Sequence, residues 1–183
     1  MEIGLEKGEY HMIPQIKKIL YTTDLSKNSS YAFLFAVDLA KRHNASIVIL
    51  HAIEPIRLYM IPEGGYMAYE LLEKAEKKEQ EMDTEEIKEH LQTFCQKAEA
   101  QIGTPCVDLV SKILVPVGQP VEEILKVAEE GACDVIVMGT HGKGFLKHTF
   151  LGSVAGSVLE RSRKPIFVIP LPSEKITIEW DGI

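Results

Sequence analysis

Residues 139–153 read Gly139-Thr140-His141-Gly142-Lys143-Gly144-Phe145-Leu146-Lys147-His148-Thr149-Phe150-Leu151-Gly152-Ser153. A short apolar run, Val135-Ile136-Val137-Met138, precedes them, and a stretch with helical periodicity, Val154 to Ser162, follows. Strand, glycine loop and helix start, in that order, can build an anion site. Glycine lets backbone approach a phosphate closely and adopts positive φ at little cost. A helix N-terminus offers unpaired N–H groups and the positive end of its dipole to the same anion. The stretch therefore predicts a phosphate-bearing ligand.

Outward from this loop the chain alternates strands and helices. Lys17 to Thr23 reads as a first strand, and Ser26-Lys27-Asn28-Ser29 is rich in N-cap residues ahead of a helix over Tyr31 to His43. Ala45 to Ile53 is a second strand, apolar nearly throughout, as a strand covered on both faces should be. Residues 54–67 carry Pro55, Pro62, Gly64 and Gly65 and read as a loop insertion. A long charged helix is expected over 68–101, with Ile87, Leu91, Phe94, Cys95, Ala98 and Ile102 on its apolar face. Cys106 to Val115 is expected as a third strand. Pro120 then opens a helix that Gly131 ends as a C′ glycine. Asp134 to Met138 and Ile166 to Ile169 are the fourth and fifth strands, and Pro170 and Pro172 stop regular structure.

This β-α-β-α-β-α-β-α-β order implies an α/β fold, an open parallel sheet with helices on both faces. Such sheets bind ligands outside the carboxyl ends of their strands, where strand order reverses. In the order 3-2-1-4-5, strands 1 and 4 meet at that point. Thr22-Thr23-Asp24 and the glycine loop then converge on one crevice.

Composition bounds the partners. The chain has 183 residues, enough for one domain with a real core, and is 45% hydrophobic and 26% charged. No apolar run reaches the roughly 18 residues that cross a bilayer, and residues 1–15 form a polar tail without the apolar core of a secretory signal. No membrane association is expected. Cys95, Cys106 and Cys133 are odd in number and lack metal spacing, which suits a reduced, cytoplasmic setting. The net charge of −7 argues against nucleic acid. Residues 69–101 hold ten acids against five Lys/Arg, whereas 139–164 hold five Lys/Arg against Glu160. An acidic protein with a basic glycine loop suits a small anionic ligand.

With these motifs the chain resembles the universal stress protein family over about Ile16 to Pro170. The family's ATP-binding branch carries Gly-x2-Gly-x9-Gly-[Ser/Thr], present here as Gly139, Gly142, Gly152 and Ser153. Leu146-Lys147, Leu151 to Val154, Arg163-Lys164-Pro165 and Gly118-x-Pro120 also resemble family members. The resemblance implies a Rossmann-like, adenine nucleotide alpha hydrolase-like domain over 16–170 between two tails, 1–15 and 171–183. It implies ATP, with Mg or Mn as an optional companion of the triphosphate, and a homodimer through the last strand, Ile166-Phe167-Val168-Ile169. A downstream protein partner is expected but not identified. One departure stands out: Thr22-Thr23-Asp24 replaces the frequent Pro-Thr-Asp, loosening the backbone but keeping the acid.

Each site residue has a functional and a structural reading. Asp24 would accept from the adenine amino group or lie near a phosphate-bound cation; structurally it is a turn acid before Ser26. Thr22 and Thr23 precede it at the strand end. Met138 ends strand 4, and Gly139 opens the glycine loop. Gly139 and Gly142 serve as ligand-contact or turn glycines, and Gly152, Ser153 and Val154 as phosphate donors, with Ser153 alternatively an N-cap. His141 would reach ribose or phosphate through its backbone, without a catalytic role. Lys143 and Lys147 neutralise phosphate or are solvated. Arg161, Arg163 and Lys164 fit a helix C-terminus. Ala52 lines the adenine pocket or belongs to the core, and Gly118 lies near ribose or only enters a helix. His51 and His43 read as packing or surface residues. The charged helix is a solvated face or a partner surface.

The function expected is an ATP-binding regulator rather than an enzyme, slow hydrolysis aside. Two alternatives are an ATP-using enzyme of related fold and an interaction module without nucleotide. The first lacks Ser-Gly-Gly-x-Asp-Ser or His-x-Gly-His after strand 1, and a P-loop. The intact glycine pattern weighs against the second.

Overall fold

The computed structural model describes residues 14–54, 84–101, 103, 105–141 and 151–170. Five parallel strands, β1 (Lys18–Thr22), β2 (Ser46–Leu50), β3 (Val110–Leu114), β4 (Val135–Gly139) and β5 (Ile166–Ile169), form one sheet in the order β3-β2-β1-β4-β5. This is the fold class expected from the alternation. The helices are α1 (Lys27–His43), α2 (84–101), α3 (Pro120–Glu130) and α4 (Ser153–Arg161).

Strand side chains alternate between two cores, as the period of two requires. Ile19, Tyr21, Ile47, Ile49, Val135 and Val137 point to one face and pack with Phe33 and Ala36 of α1 and Leu91 and Phe94 of α2. Leu20, Val48, Leu50, Ile136 and Met138 point to the other, against Ile124 and Ala128 of α3 and Ala155 and Val158 of α4. An aromatic chain runs from Tyr21 to Phe33 to Phe94, each ring centroid 5.1 Å from the next. α2 buries Leu91, Phe94, Cys95 and Ala98 of its predicted face; Ile102 and the expected start of this helix over 68–83 lie outside the described residues, as do the 54–67 insertion beyond Glu54 and most of both tails.

Three expectations need correction. The third strand is shorter, because Val107–Leu109 forms a 3-10 turn. The Glu99 carboxylate accepts the N–H groups of Cys106 (2.7 Å) and Val107 (2.9 Å) and bends the chain there before pairing begins. Gly131 is not left-handed: its φ is −76°, and Ala132 carries the positive φ of 47°. Gly131 is needed for space, since a Cβ would lie 2.5 Å from the Val127 carbonyl oxygen. Ser153 is the first helical residue of α4, and Gly152 is the N-cap.

The amino ends of the central strands are pinned by Asp134. Its Oδ2 accepts from Lys17 N (2.7 Å) and Lys18 N (2.8 Å), and its own N–H donates to the Lys18 carbonyl at 2.8 Å. Hydrogen bonds to a charged group contribute about 1.5–3 kcal/mol. Asp134→Ala should therefore lower unfolding free energy by about 1–3 kcal/mol in urea titrations, and Asp134→Asn by less. Glu99 predicts a pH effect. The bonds from Val107 and Cys106 N–H lower its pKa from 4.5. Its stabilisation is complete above 4.5 and is lost as pH falls toward the lowered value. Urea midpoints of Glu99→Gln should show a smaller drop than wild type across that window.

Candidate functional site

At the carboxyl ends of β1, β2 and β4 lies a cavity of about 690 Å³. Thr22, Thr23, Asp24, Ala52, Met138, Gly139, His141, Gly152, Ser153 and Val154 line it, so ten of the thirteen predicted site residues meet in one crevice. Gly118 does not line it. Its N–H donates to the Ile53 carbonyl at 2.8 Å, and a Cβ there would meet the Glu123 side chain at 2.5 Å. Gly142 and Lys143 lie outside the described residues, as does Lys147.

One wall is the N-terminus of α4. Gly156 N–H is bonded to the Gly152 carbonyl at 2.9 Å. The N–H groups of Ser153, Val154 and Ala155 come before that bond, where a helix leaves its donors unpaired, and all three residues line the cavity. The Gly152 N-cap has no side chain to compete for them. Its N–H donates to Thr140 O at 2.8 Å, and a Cβ would lie 3.2 Å from that oxygen. Gly152 has φ −66°, so close approach rather than left-handed geometry favours glycine. A Cβ on Gly139 would meet only van der Waals contacts, at 3.6 Å and beyond. Packing among the described residues therefore does not require glycine there.

The turn from β1 into α1 forms the opposite wall. Ser26 caps α1 by accepting from Ser29 N, and Asp24 Oδ1 accepts from the Ser26 hydroxyl (2.6 Å) and N–H (3.2 Å). Asp24 thus fills the turn role while also facing the cavity. Thr23 Oγ1 accepts from Leu25 N at 3.0 Å and pairs with Ser29 Oγ at 2.8 Å. Leu25 is buried with φ 61°, a conformation that costs a non-glycine residue about 1–3 kcal/mol. The buried Tyr21 hydroxyl donates to the Ser29 carbonyl at 2.7 Å, and burial pushes its pKa up.

Between these walls lies the strand end that follows β2. In the β1–β2 ladder, Ser46 N–H donates to Lys17 O at 2.9 Å, and Thr23 N–H donates to Leu50 O at 3.0 Å. The next rung of a parallel ladder would run from Ala52 N–H to Thr23 O. It is not formed: the Nδ1 of His51 lies 2.8 Å from Thr23 O instead. His51 N–H and Ile53 N–H bond in the other direction, to Leu114 O and Pro116 O. Among the described residues, the N–H and C=O of Ala52 therefore make no backbone bond, and alternation aims them at the cavity side. His51, Ser29 and Thr140 line this site without having been expected there. No sequence signal marked His51, which read as part of the second strand, whereas β2 ends at Leu50 and His51 follows it.

Arg161 belongs to a helix–helix tie. Its guanidinium donates to both Glu122 carboxylate oxygens (2.7 and 3.1 Å), fixing the far end of α4 to α3. Both partners are half-exposed, so the tie contributes little energy. Among the described residues no helix is long and apolar enough to cross a membrane.

A parallel sheet in the order β3-β2-β1-β4-β5, with a crevice at its order reversal lined by the first turn of α4, defines a Rossmann-like fold. Residues 15–170 match the model of the universal stress protein family, and the chain belongs to that family. It is 31% identical over 158 residues to Universal stress protein MJ0577 of Methanocaldococcus jannaschii, covering 84% of this chain and 94% of that one. A solved structure of MJ0577 superposes with a TM-score of 0.69 at 30% identity, covering 87% of this chain and 99% of that chain. A universal stress protein crystallised in complex with cAMP shares the fold at TM-score 0.50 and 21% identity, covering 85% and 98%.

Proposed function

We propose that this protein is an adenine-nucleotide-binding regulator, with ATP as its ligand. The observation that carries this reading is the pairing of two kinds of unpaired backbone across one cavity. The α4 N-terminus offers N–H groups suited to phosphates. The Ala52 N–H and C=O form an adjacent donor and acceptor, the complement of the acceptor N1 and donor amino group on adenine. A cavity of about 690 Å³ is in the range of small-molecule sites. The cAMP found in a distant family member is also an adenine nucleotide. The family glycine pattern, with Gly142 and Lys143, would complete the phosphate loop.

The chemistry favours binding over turnover. Asp24 Oδ1 already accepts two bonds from Ser26, and His141 Nδ1 lies 3.0 Å from Thr140 Oγ1. One atom of each side chain is thus already engaged within the protein. Mg²⁺ is commonly held by one or two carboxylates plus phosphate oxygens; Asp24 and Glu54 are carboxylates of the cavity wall that fit this role. The homodimer implied by the family would form on the outer edge of β5, which among the described residues pairs only with β4 and exposes 43% of Phe167.

Purified protein, denatured and analysed by mass spectrometry, should release adenine nucleotide, or the ligand-free protein should bind ATP in titration calorimetry without fast turnover. Absence of both would refute the reading. Gly152→Val should keep the fold, because φ −66° suits any residue, with a melting temperature lower by a few degrees. ATP affinity should fall at least tenfold, since a side chain would crowd the α4 N–H groups; equal affinity would refute the phosphate position.

A further inference from the structure

We infer that His51 is the positioning residue that holds the base-reading edge of this site open. The inference rests on the proposed nucleotide reading and deepens it. The β1–β2 ladder has the register to continue one rung further, because Thr22 aligns with Leu50 and Thr23 N–H already bonds Leu50 O. Only Ala52 N–H would have to swing onto Thr23 O to close it. The imidazole occupies that carbonyl from the side, with Nδ1 at 2.8 Å. A carbonyl oxygen can only accept, so Nδ1 carries the proton and donates it here.

Two consequences follow from this substitution of side chain for backbone. Thr23 O is satisfied, so this part-buried carbonyl is not left an orphan acceptor. Ala52 N–H and C=O stay available to a ligand. The same bond steadies the turn that holds Asp24 and the strained Leu25, because Thr23 is tied from both sides: to Leu50 and His51 by its backbone, and to Leu25 and Ser29 by its hydroxyl. His51 thus links the base end of the cavity to the α1 turn without needing to touch the nucleotide.

Side-chain geometry supplies the test. The amide nitrogen of Asn sits about where imidazole Nδ1 does, whereas that of Gln sits farther out, near Nε2. His51→Asn should keep the bond to Thr23 O; His51→Gln and His51→Leu should lose it. Amide hydrogen exchange by NMR should show Ala52 exchanging fast in the ligand-free wild type and in His51→Asn. In His51→Leu and His51→Gln it should slow at least tenfold as the vacant rung closes. ATP affinity should drop roughly tenfold in those two variants, the scale of one hydrogen bond. GTP affinity should change little, so the ATP to GTP ratio narrows. A merely structural histidine would weaken both nucleotides alike.

If Ala52 is as protected as Leu50 in the wild type, or exchanges equally in all four proteins, the inference is overturned. It is likewise overturned if the ATP to GTP ratio is the same in wild type and His51→Gln. Wild type that binds neither nucleotide, yet shows the predicted exchange pattern, would refute the proposed function and keep His51 as the residue that blocks the rung.

Discussion

The bond from Thr23 N–H to the Leu50 carbonyl is the last formed rung between β1 and β2, and the site begins where it ends. Parallel strands satisfy their backbone groups only while both neighbours run alongside. Beyond this rung β1 turns into α1, whereas the chain after β2 carries on beside β3, with Ile53 bridged to Val117. On the other side, β4 ends at Gly139 and leads toward α4. α1, which follows β1, and α4, which follows β4, pack on opposite faces of the sheet, and the first residues of α4 and the turn into α1 line the crevice.

What surrounds that crevice follows from the cores. The two faces of the sheet are packed by separate helix pairs, so β1 and β4 are buried along nearly their whole length. A fully covered strand can present ligand-facing groups only at its end. The turn after β1 meets this constraint with a dense local network and one strained residue. Leu25 holds a positive φ while its side chain stays in the core. Strain of this kind persists where surrounding bonds over-determine the backbone; here these come from Asp24, Thr23, Ser26 and Ser29. All of these bonds lie within the turn and the first turn of α1.

The strand runs and their alternation with helical segments were legible because burial on both faces leaves continuous apolar runs such as Ile47–Leu50 and Val135–Met138. The meeting of Asp24 with Gly152 and Ser153 was legible once the strand order was assumed. Other features are set by tertiary partners. The 3-10 turn at Val107 depends on a carboxylate eight residues away, and the space at Gly131 on the Val127 carbonyl. Gly118 read as a site residue because the family resemblance places its loop near the ribose, whereas its N–H is committed to the Ile53 carbonyl. His51 went unrecognised since a histidine after an apolar run has no periodic signature. Its role appears only when the ladder is followed rung by rung.

The most direct measurement is an amide NMR titration of the isotope-labelled protein with ATP. Saturable shifts should concentrate on Ser153, Val154 and Ala155 at one end of the crevice and on Thr23, Asp24 and Ala52 at the other. Shifts confined to one end would contradict a nucleotide spanning the two. Saturable shifts elsewhere on the surface, or none at all, would contradict the account as a whole.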